Sequence, residues 1–413
     1  MKVFLPVWLA LATWCTVAVA QESAENAGSV GQKPAANVEF IKGVDLSLAS
    51  YLQGQGMKYK DGGQVKDLLA IFKDHGCNYV RLRIFVNPDG THGQVNTLAY
   101  TVALAKQVKA LGLHFLLDFH YSDGWADPGK QWIPREWAAL PHKELTEKVY
   151  TYTRDTLAAF KEAGCLPDMV QVGNEISAGM MWPAGGPLKD DSKWDDFADF
   201  IKAGARAVRE YPGMKVVIHL ANGDRQGLCK WFFDHCKDRK VDYDVIGLSY
   251  YPFGDGSLDA LKANMAFLSR TYQKDIIIAE TGFFADGGVP GKTPYPTTPA
   301  GQQAFLAKLM SIVAATPDGH GKGVFYWAPE MIRSGGVKGE TKRGNRALFD
   351  DNRNALPAID VFHFCAARSL LNIGKTGFPF LSRYELLRGG GVLLRKPCGK
   401  LREPSLMLDM WLA

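Results

Sequence analysis

The chain predicts an α/β fold of the (β/α)8 TIM-barrel type, with one catalytic domain. Three observations carry this. Eight short apolar, β-branched runs recur over about 320 residues. Segments of helical periodicity separate them. Every run ends in polar or aromatic side chains, which buried strands do when they converge on a polar pocket.

The elements follow in order. EFIKGVDLS (39–47), NYVRLRIF (78–85), HFLLDFH (114–120) and DMVQVGN (168–174) give the first four strands. KVVIHL (215–220), YDVIGLSYY (243–251), DIIIAE (275–280) and KGVFYW (322–327) give the other four. Nearly continuous apolar runs suit parallel strands covered on both faces. Between them, Val65, Leu68, Leu69 and Phe72 keep i, i+3, i+4, i+7 spacing, which predicts a helix from Val65 to His75. Similar spacing marks Thr97–Leu111, Leu145–Ala163, Trp194–Tyr211, Leu258–Tyr272 and Ala300–Ala314. Gly76, Gly112 and Gly164 stand where helices hand over to strands and are expected to take left-handed caps. A doubly wound open sheet is the alternative, but LSLASYLQGQG after the first strand is no glycine-rich phosphate loop.

Outside the barrel, residues 1–20 read as a signal peptide. Lys2 precedes an apolar run from Val3 to Val19, and Ala18-Val19-Ala20 offers a small-residue cleavage pattern, against the alternative of a membrane anchor. A secreted product, extracellular or periplasmic, is expected, with no membrane attachment after cleavage. Residues 21–37 read as a flexible leader, 38–363 as the barrel domain. Residues 364–413 form a Leu-rich tail with eight Lys or Arg against three acids, which carries the whole net charge of +5. This tail is either a small module or a non-native extension. The neutral remainder argues against nucleic acid as a partner. Seven cysteines are present, of which Cys15 leaves with the signal. Cys77 and Cys165 are expected as buried thiols, while Cys229 and Cys236 could pair, a connectivity that sequence does not fix. No CxxC pair or His-rich spacing suggests zinc, and no cofactor is expected.

In this fold, chemistry is built at the C-terminal strand ends. Glu175 and Glu280 end strands four and seven and should face each other across the mouth. Two facing carboxylates suit glycoside hydrolysis, one protonated to release the leaving oxygen, the other ionised to attack the anomeric carbon. Their proximity helps to split their proton affinities. Asn174 could donate to a sugar hydroxyl, Arg83 could pair with Glu280, and Tyr251 could hydrogen-bond the nucleophile. His120 could hold a substrate hydroxyl or orient a carboxylate. Asp45, Asp118, His219 and Asn222 complete the polar strand ends. Trp125, Trp182 and Trp327 are candidate platforms for a pyranose face.

These stretches resemble a known family. GVDLSL, HGCNYVRLRIF, LLDFHYSDGWADPGKQ, VQVGNEISAGMMWPAG, DVIGLSYYPF, AETGF, GVFYWAPE and RALFDDNRNALPAIDVF are similar to glycoside hydrolase family 53, the endo-β-1,4-galactanases of type I arabinogalactan. The resemblance runs from about Val38 to Phe362. It implies a retaining mechanism with Glu175 as acid/base and Glu280 as nucleophile, and a pectin galactan side chain as the partner of an enzyme expected to be monomeric. Retention implies carboxyl groups about 5–5.5 Å apart. Two positions depart from the family pattern. Ala221 stands before Asn222-Gly223 where Asp is common, and Ala328 follows Trp327 where Glu is common, with Glu330 two residues on. The stretch ADGGVPGKTPYPTTP, where some bacterial members bind calcium, holds the single acid Asp286, so no metal is expected there. The same chemistry on mannan or a β-glucan, and an inactive carbohydrate-binding relative, remain the alternatives.

Overall fold

The computed structural model describes residues 39–189, 191–332 and 344–365. The expected signal, the expected leader and nearly all of the basic tail lie outside them. Eight parallel strands close into a barrel in sequential order. They are β1 (Ile41–Asp45), β2 (Tyr79–Ile84), β3 (His114–Phe119), β4 (Met169–Val172), β5 (Lys215–Leu220), β6 (Val245–Tyr250), β7 (Asp275–Thr281) and β8 (Gly321–Trp327). β8 pairs β1 and closes the ring.

The helices are α1 (Ala49–Gly54), α2 (Leu68–Asp74), α3 (Leu98–Ala110), α4 (His142–Glu162), α5 (Trp194–Val208), α6 (Gln226–Asp238), α7 (Leu258–Tyr272) and α8 (Pro299–Ala314). Side-chain oxygens accept from the first-turn N–H groups of four of them: Asp67 from Ala70, Thr97 from Tyr100, Ser257 from Ala260 and Thr298 from Gly301. The expected helix from Val65 starts late. Val65 lies exposed in a small antiparallel hairpin (Tyr59–Asp61 with Gln64–Lys66), and Asp67 caps α2 only from Leu68. A single apolar residue in phase was overruled by the Gly62-Gly63 turn, where both glycines have positive φ. Gly76, Gly112 and Gly164 have φ of 90°, 69° and 69°, as left-handed caps require. After β8 no α-helix follows among the described residues. A 3-10 turn (Pro357–His363) takes that place, with Ala358, Ile359, Val361 and Phe362 buried. No described helix is long and apolar enough to cross a membrane.

Two apolar shells fill the domain. The larger lies between strands and helices. The smaller fills the lower barrel with inward side chains: Ile41, Tyr79, Leu116, Met169, Val217, Val245, Ile277, Ala279 and Phe325. Above it, strict alternation brings Arg81 and Arg83, Asp118, Gln171, His219, Ser249 and Trp327 to the inside. β7 breaks the rule. Ile278 aligns with Leu248 but Glu280 with Ser249, and against β8 Ile278 aligns with Val324 but Thr281 with Tyr326. One extra residue is therefore inserted at Ala279–Glu280. Ala279 points inward with the lower shell, and the bulge re-aims Glu280 to the same side.

Candidate active site at the barrel mouth

The mouth is organised around a buried cation. Arg81 Nη1 contacts Asp45 Oδ2 at 2.8 Å and Glu280 Oε1 at 2.9 Å. Its Nη2 contacts Asp118 Oδ2 at 2.9 Å and donates to Asn174 Oδ1 at 2.8 Å, while Nε donates to Gln171 Oε1 at 3.3 Å. Burial disfavours the guanidinium charge, but Asp118, Glu280 and Asp45 outweigh it and hold Arg81 charged. Arg83, expected to pair with Glu280, does not. It lies one strand period further along and pairs with Asp45 at 3.4 Å, its guanidinium 4.3 Å from the centre of the Trp125 ring.

Glu280 is nearly buried, and Tyr251 donates its hydroxyl to Oε2 at 2.9 Å. Burial raises this carboxyl above its ordinary value; Arg81 offsets part of the rise, Asp45 and Asp118 add to it, and the Tyr251 hydroxyl again opposes it. Among the described residues no cation forms an ion pair with Glu175. Burial first, and the Glu280 charge second, push it to about 8. The two acids differ in how directly they are held, an asymmetry that favours the proton on Glu175. β4 stops at Val172. Gly173 at φ 88° and Glu175 at φ 47° then turn the chain so that the acid rises from the strand end. The Glu175 N–H lies 3.3 Å from His219 Nδ1, and His219 Nε2 lies 2.9 Å from Ser249 Oγ, a hydroxyl that also bonds Glu175. Burial, then Arg81, hold His219 well below its ordinary value, so it is neutral.

The other expected residues sort into supports and wall. Asn174 spends Oδ1 on Arg81, Gln171 and His219 and one amide hydrogen on Ala126 O at 2.9 Å; among the described residues the other hydrogen meets no acceptor. His120 orients a carboxylate: Nε2 lies 3.1 Å from Asp118, and Nδ1 accepts from Ala126 N at 3.0 Å. With both nitrogens engaged, a substrate hydroxyl has no place on it. Burial pushes Asp118 up, but Arg81 and His120 overcome this and hold it below the usual carboxylate range. Asn222 donates to Asp255 at 2.7 Å, and Asp255 accepts the Tyr251 N–H at 2.7 Å, so Asn222 braces the loop that carries Tyr251. Trp125 and Trp327 are half-buried, 6.4 Å apart, with Arg346 5.2 Å from the Trp327 ring. Trp182 is no platform. It is buried, donates to Ala178 O and meets the edge of Trp132, which is 58% exposed instead.

Sequence reasoning missed Arg81 as the hub, Gln171, Ser249 and Trp132. For the first three the alternation of strand residues was an available signal that they face inward, though not of which arginine is the hub; for Trp132 there was none. At the departures from the family pattern, Ala221 donates its N–H to Ser177 Oγ at 2.9 Å and Ala328 adopts φ 47°. Glu330 is buried beyond it, and desolvation pushes its carboxyl to about 8. Cys229 and Cys236 do not pair. Both are buried free thiols on α6, seven residues apart along one helix and so two turns distant. Cys77 and Cys165 are buried free thiols as expected.

The sequence model of glycosyl hydrolase family 53 matches residues 41–362. An endo-β-1,4-galactanase of Bacillus subtilis is 33% identical over 379 residues, covering 79% of this chain and 86% of its own. An arabinogalactan endo-β-1,4-galactanase of Cellvibrio japonicus is 35% identical over 351 residues, covering 79% and 91%. The solved Ignisphaera aggregans GH53 catalytic domain superposes with a TM-score of 0.73 at 36% identity, covering 80% of this chain and 97% of that one. With that match spanning the barrel from its first strand to its closing turn, the chain belongs to glycosyl hydrolase family 53 and is a glycoside hydrolase.

Proposed function

We propose that the protein is a secreted, endo-acting, retaining β-1,4-galactanase acting on type I arabinogalactan as a monomer. The observation that carries the mechanism is the unequal treatment of the two glutamates. Glu280 is clasped by Arg81 and Tyr251, while Glu175 is pushed to about 8 and pairs with no cation among the described residues. Glu175 therefore starts with the proton and Glu280 with the charge.

In the first step Glu280 attacks the anomeric carbon. The bond to the leaving oxygen breaks as Glu175 gives that oxygen its proton, and a galactosyl ester forms on Glu280. Glu175, now ionised, takes a proton from water. The resulting oxygen attacks the same carbon, displaces Glu280 and regenerates the resting state. Two inversions give net retention. The remaining amide hydrogen of Asn174 is free to meet a sugar hydroxyl, and Trp125 and Trp327 offer aromatic faces to the sugar ring.

The galactan preference is supported by the curated relatives' activities. Purified protein assayed on linear galactan, mannan and carboxymethylcellulose tests it, with the anomeric configuration of fresh products followed by NMR. The expected result is fastest cleavage of galactan with β-configured products. Faster turnover of either other polymer would overturn the substrate, and α-configured first products would overturn the two-step mechanism.

A further inference from the structure

At the end of the barrel opposite the two glutamates, three side chains come together that the glycosidase chemistry does not use. His75 caps the C-terminus of α2. Asp360 and His363 stand three apart on the closing 3-10 turn, where i and i+3 side chains eclipse and share one side. One ligand atom from each lies within 4.8 Å of the other two, and among the described residues this is the single such group. His75 Nδ1 is 2.7 Å from Asp360 Oδ1, and the two imidazole rings are 5.9 Å apart.

A second feature is independent of this proximity. His75 Nε2 faces Asp61 Oδ1 at 3.3 Å, and the other oxygen of Asp61 is held by Lys66 at 2.8 Å. A carboxylate behind the far nitrogen of a histidine is the outer partner that metal-bound imidazoles usually have. In the tautomer whose Nε2–H donates to Asp61, an Nδ1 lone pair of His75 faces the Asp360 oxygen, and two acceptors at that distance take a positive charge between them. A second proton on the ring supplies one, and so does a metal cation. Gly76 also leaves room for the third ligand, since a Cβ there would come within 3.1 Å of His363 Nδ1.

We propose that His75, Asp360 and His363 bind a divalent transition cation of the zinc class. Two imidazoles and one carboxylate are borderline ligands, suited to zinc or its neighbours rather than to calcium or magnesium, which take oxygen ligands. Tetrahedral coordination at about 2.0–2.1 Å places ligand atoms about 3.4 Å apart, within reach of the spacing present here by small side-chain adjustments. Three protein ligands leave one position to water. The cation ties the turn that seals the barrel to the helix beneath it, so its effect falls on stability rather than on the mouth. This inference does not depend on the substrate or on the assignment of the glutamates.

The test uses untagged full-length protein stripped with chelator and dialysed, titrated with zinc chloride by calorimetry. One zinc per chain is expected, with saturation. At zinc about a hundredfold above Kd, Tm should rise by about 4 °C, and calcium chloride should leave it unmoved. His363→Ala and Asp360→Asn should each weaken zinc binding about tenfold or more. Among the described residues His363 makes a ring contact with His75 and no hydrogen bond, so His363→Ala should keep the zinc-free Tm of the parent. Absence of saturable zinc binding overturns the site. Binding unchanged in His363→Ala also overturns it, because other surface histidines would then be responsible.

Discussion

Replacing Tyr251 by Phe removes a single hydroxyl from the mouth. The ring stays packed 5.4 Å from Phe253, and Asp255 still accepts the backbone N–H. What is lost is the 2.9 Å bond to Glu280 Oε2. A hydrogen bond to a charged acceptor contributes about 1.5–3 kcal/mol. Arg81 keeps its contact with Oε1 at 2.9 Å, so the carboxylate is not orphaned and the low end applies, about 1.5 kcal/mol. That corresponds to roughly a tenfold loss in kcat/KM. The direction on pH is also fixed. The Tyr251 bond favours the ionised form of Glu280, so its removal raises that group and moves the acid limb of the kcat/KM profile to higher pH. The basic limb, which belongs to Glu175, should stay. The assay is initial-rate hydrolysis of linear galactan from pH 4 to 9 on both proteins, with Tm measured alongside. An unmoved acid limb with parental kcat/KM would refute the reasoning, as would a rate loss matched by a collapse in Tm.

Other outcomes follow from the same geometry. The parental basic limb should fall with an apparent pKa of about 8, the value to which Glu175 is pushed, and Glu280→Gln should lower the Glu175 titration seen by carboxyl NMR because the second-largest cause is gone. Glu175 and Glu330 both sit near 8 in the folded chain, above the ordinary range near 4.5. Each folded-state pKa is raised, so the stability these acids contribute is fully present below the unfolded value and is lost as pH rises through the folded one. Tm should therefore fall between about pH 5 and pH 8, and Glu330→Gln should flatten part of that fall. In the lower barrel, Gly43 has no room for a side chain, since a Cβ would lie 2.3 Å from the Phe325 ring. Gly43→Ala should cost about 1–3 kcal/mol in denaturant unfolding, read as a lower midpoint at unchanged slope.

The barrel was legible because each strand is a local signal: a short apolar run with polar or aromatic residues at its end and, before β2, β3 and β4, a glycine that closes the preceding helix. Glu175 was legible for the same reason, as the acid beyond the last apolar residue of β4. The partner of Glu280 was not. Arg81 and Arg83 share one face of β2, and sequence cannot say which of two inward positions lies level with a carboxylate on a strand far along the chain. That depends on the stagger of the strands, a property of the closed ring. The hairpin at Tyr59–Lys66 was hidden by one valine in helical phase, and Trp132 by a loop whose path no periodicity describes.

The bulge in β7 makes Glu280 a matter of counting rather than of identity. Alternation alone would have sent this carboxylate outward, toward the helical layer, and the inserted residue brings it to the mouth. Substitution at Ala279 by another small residue leaves the count intact. Deleting it removes the bulge itself: the glutamate then follows the outward Ile278 directly, stays level with Ser249 and still faces Arg81 and Tyr251, while the lower shell loses one methyl. The bulge is thus one residue of slack in the strand, and a library of single-residue deletions along Asp275–Thr281 should find its tolerated position at Ala279.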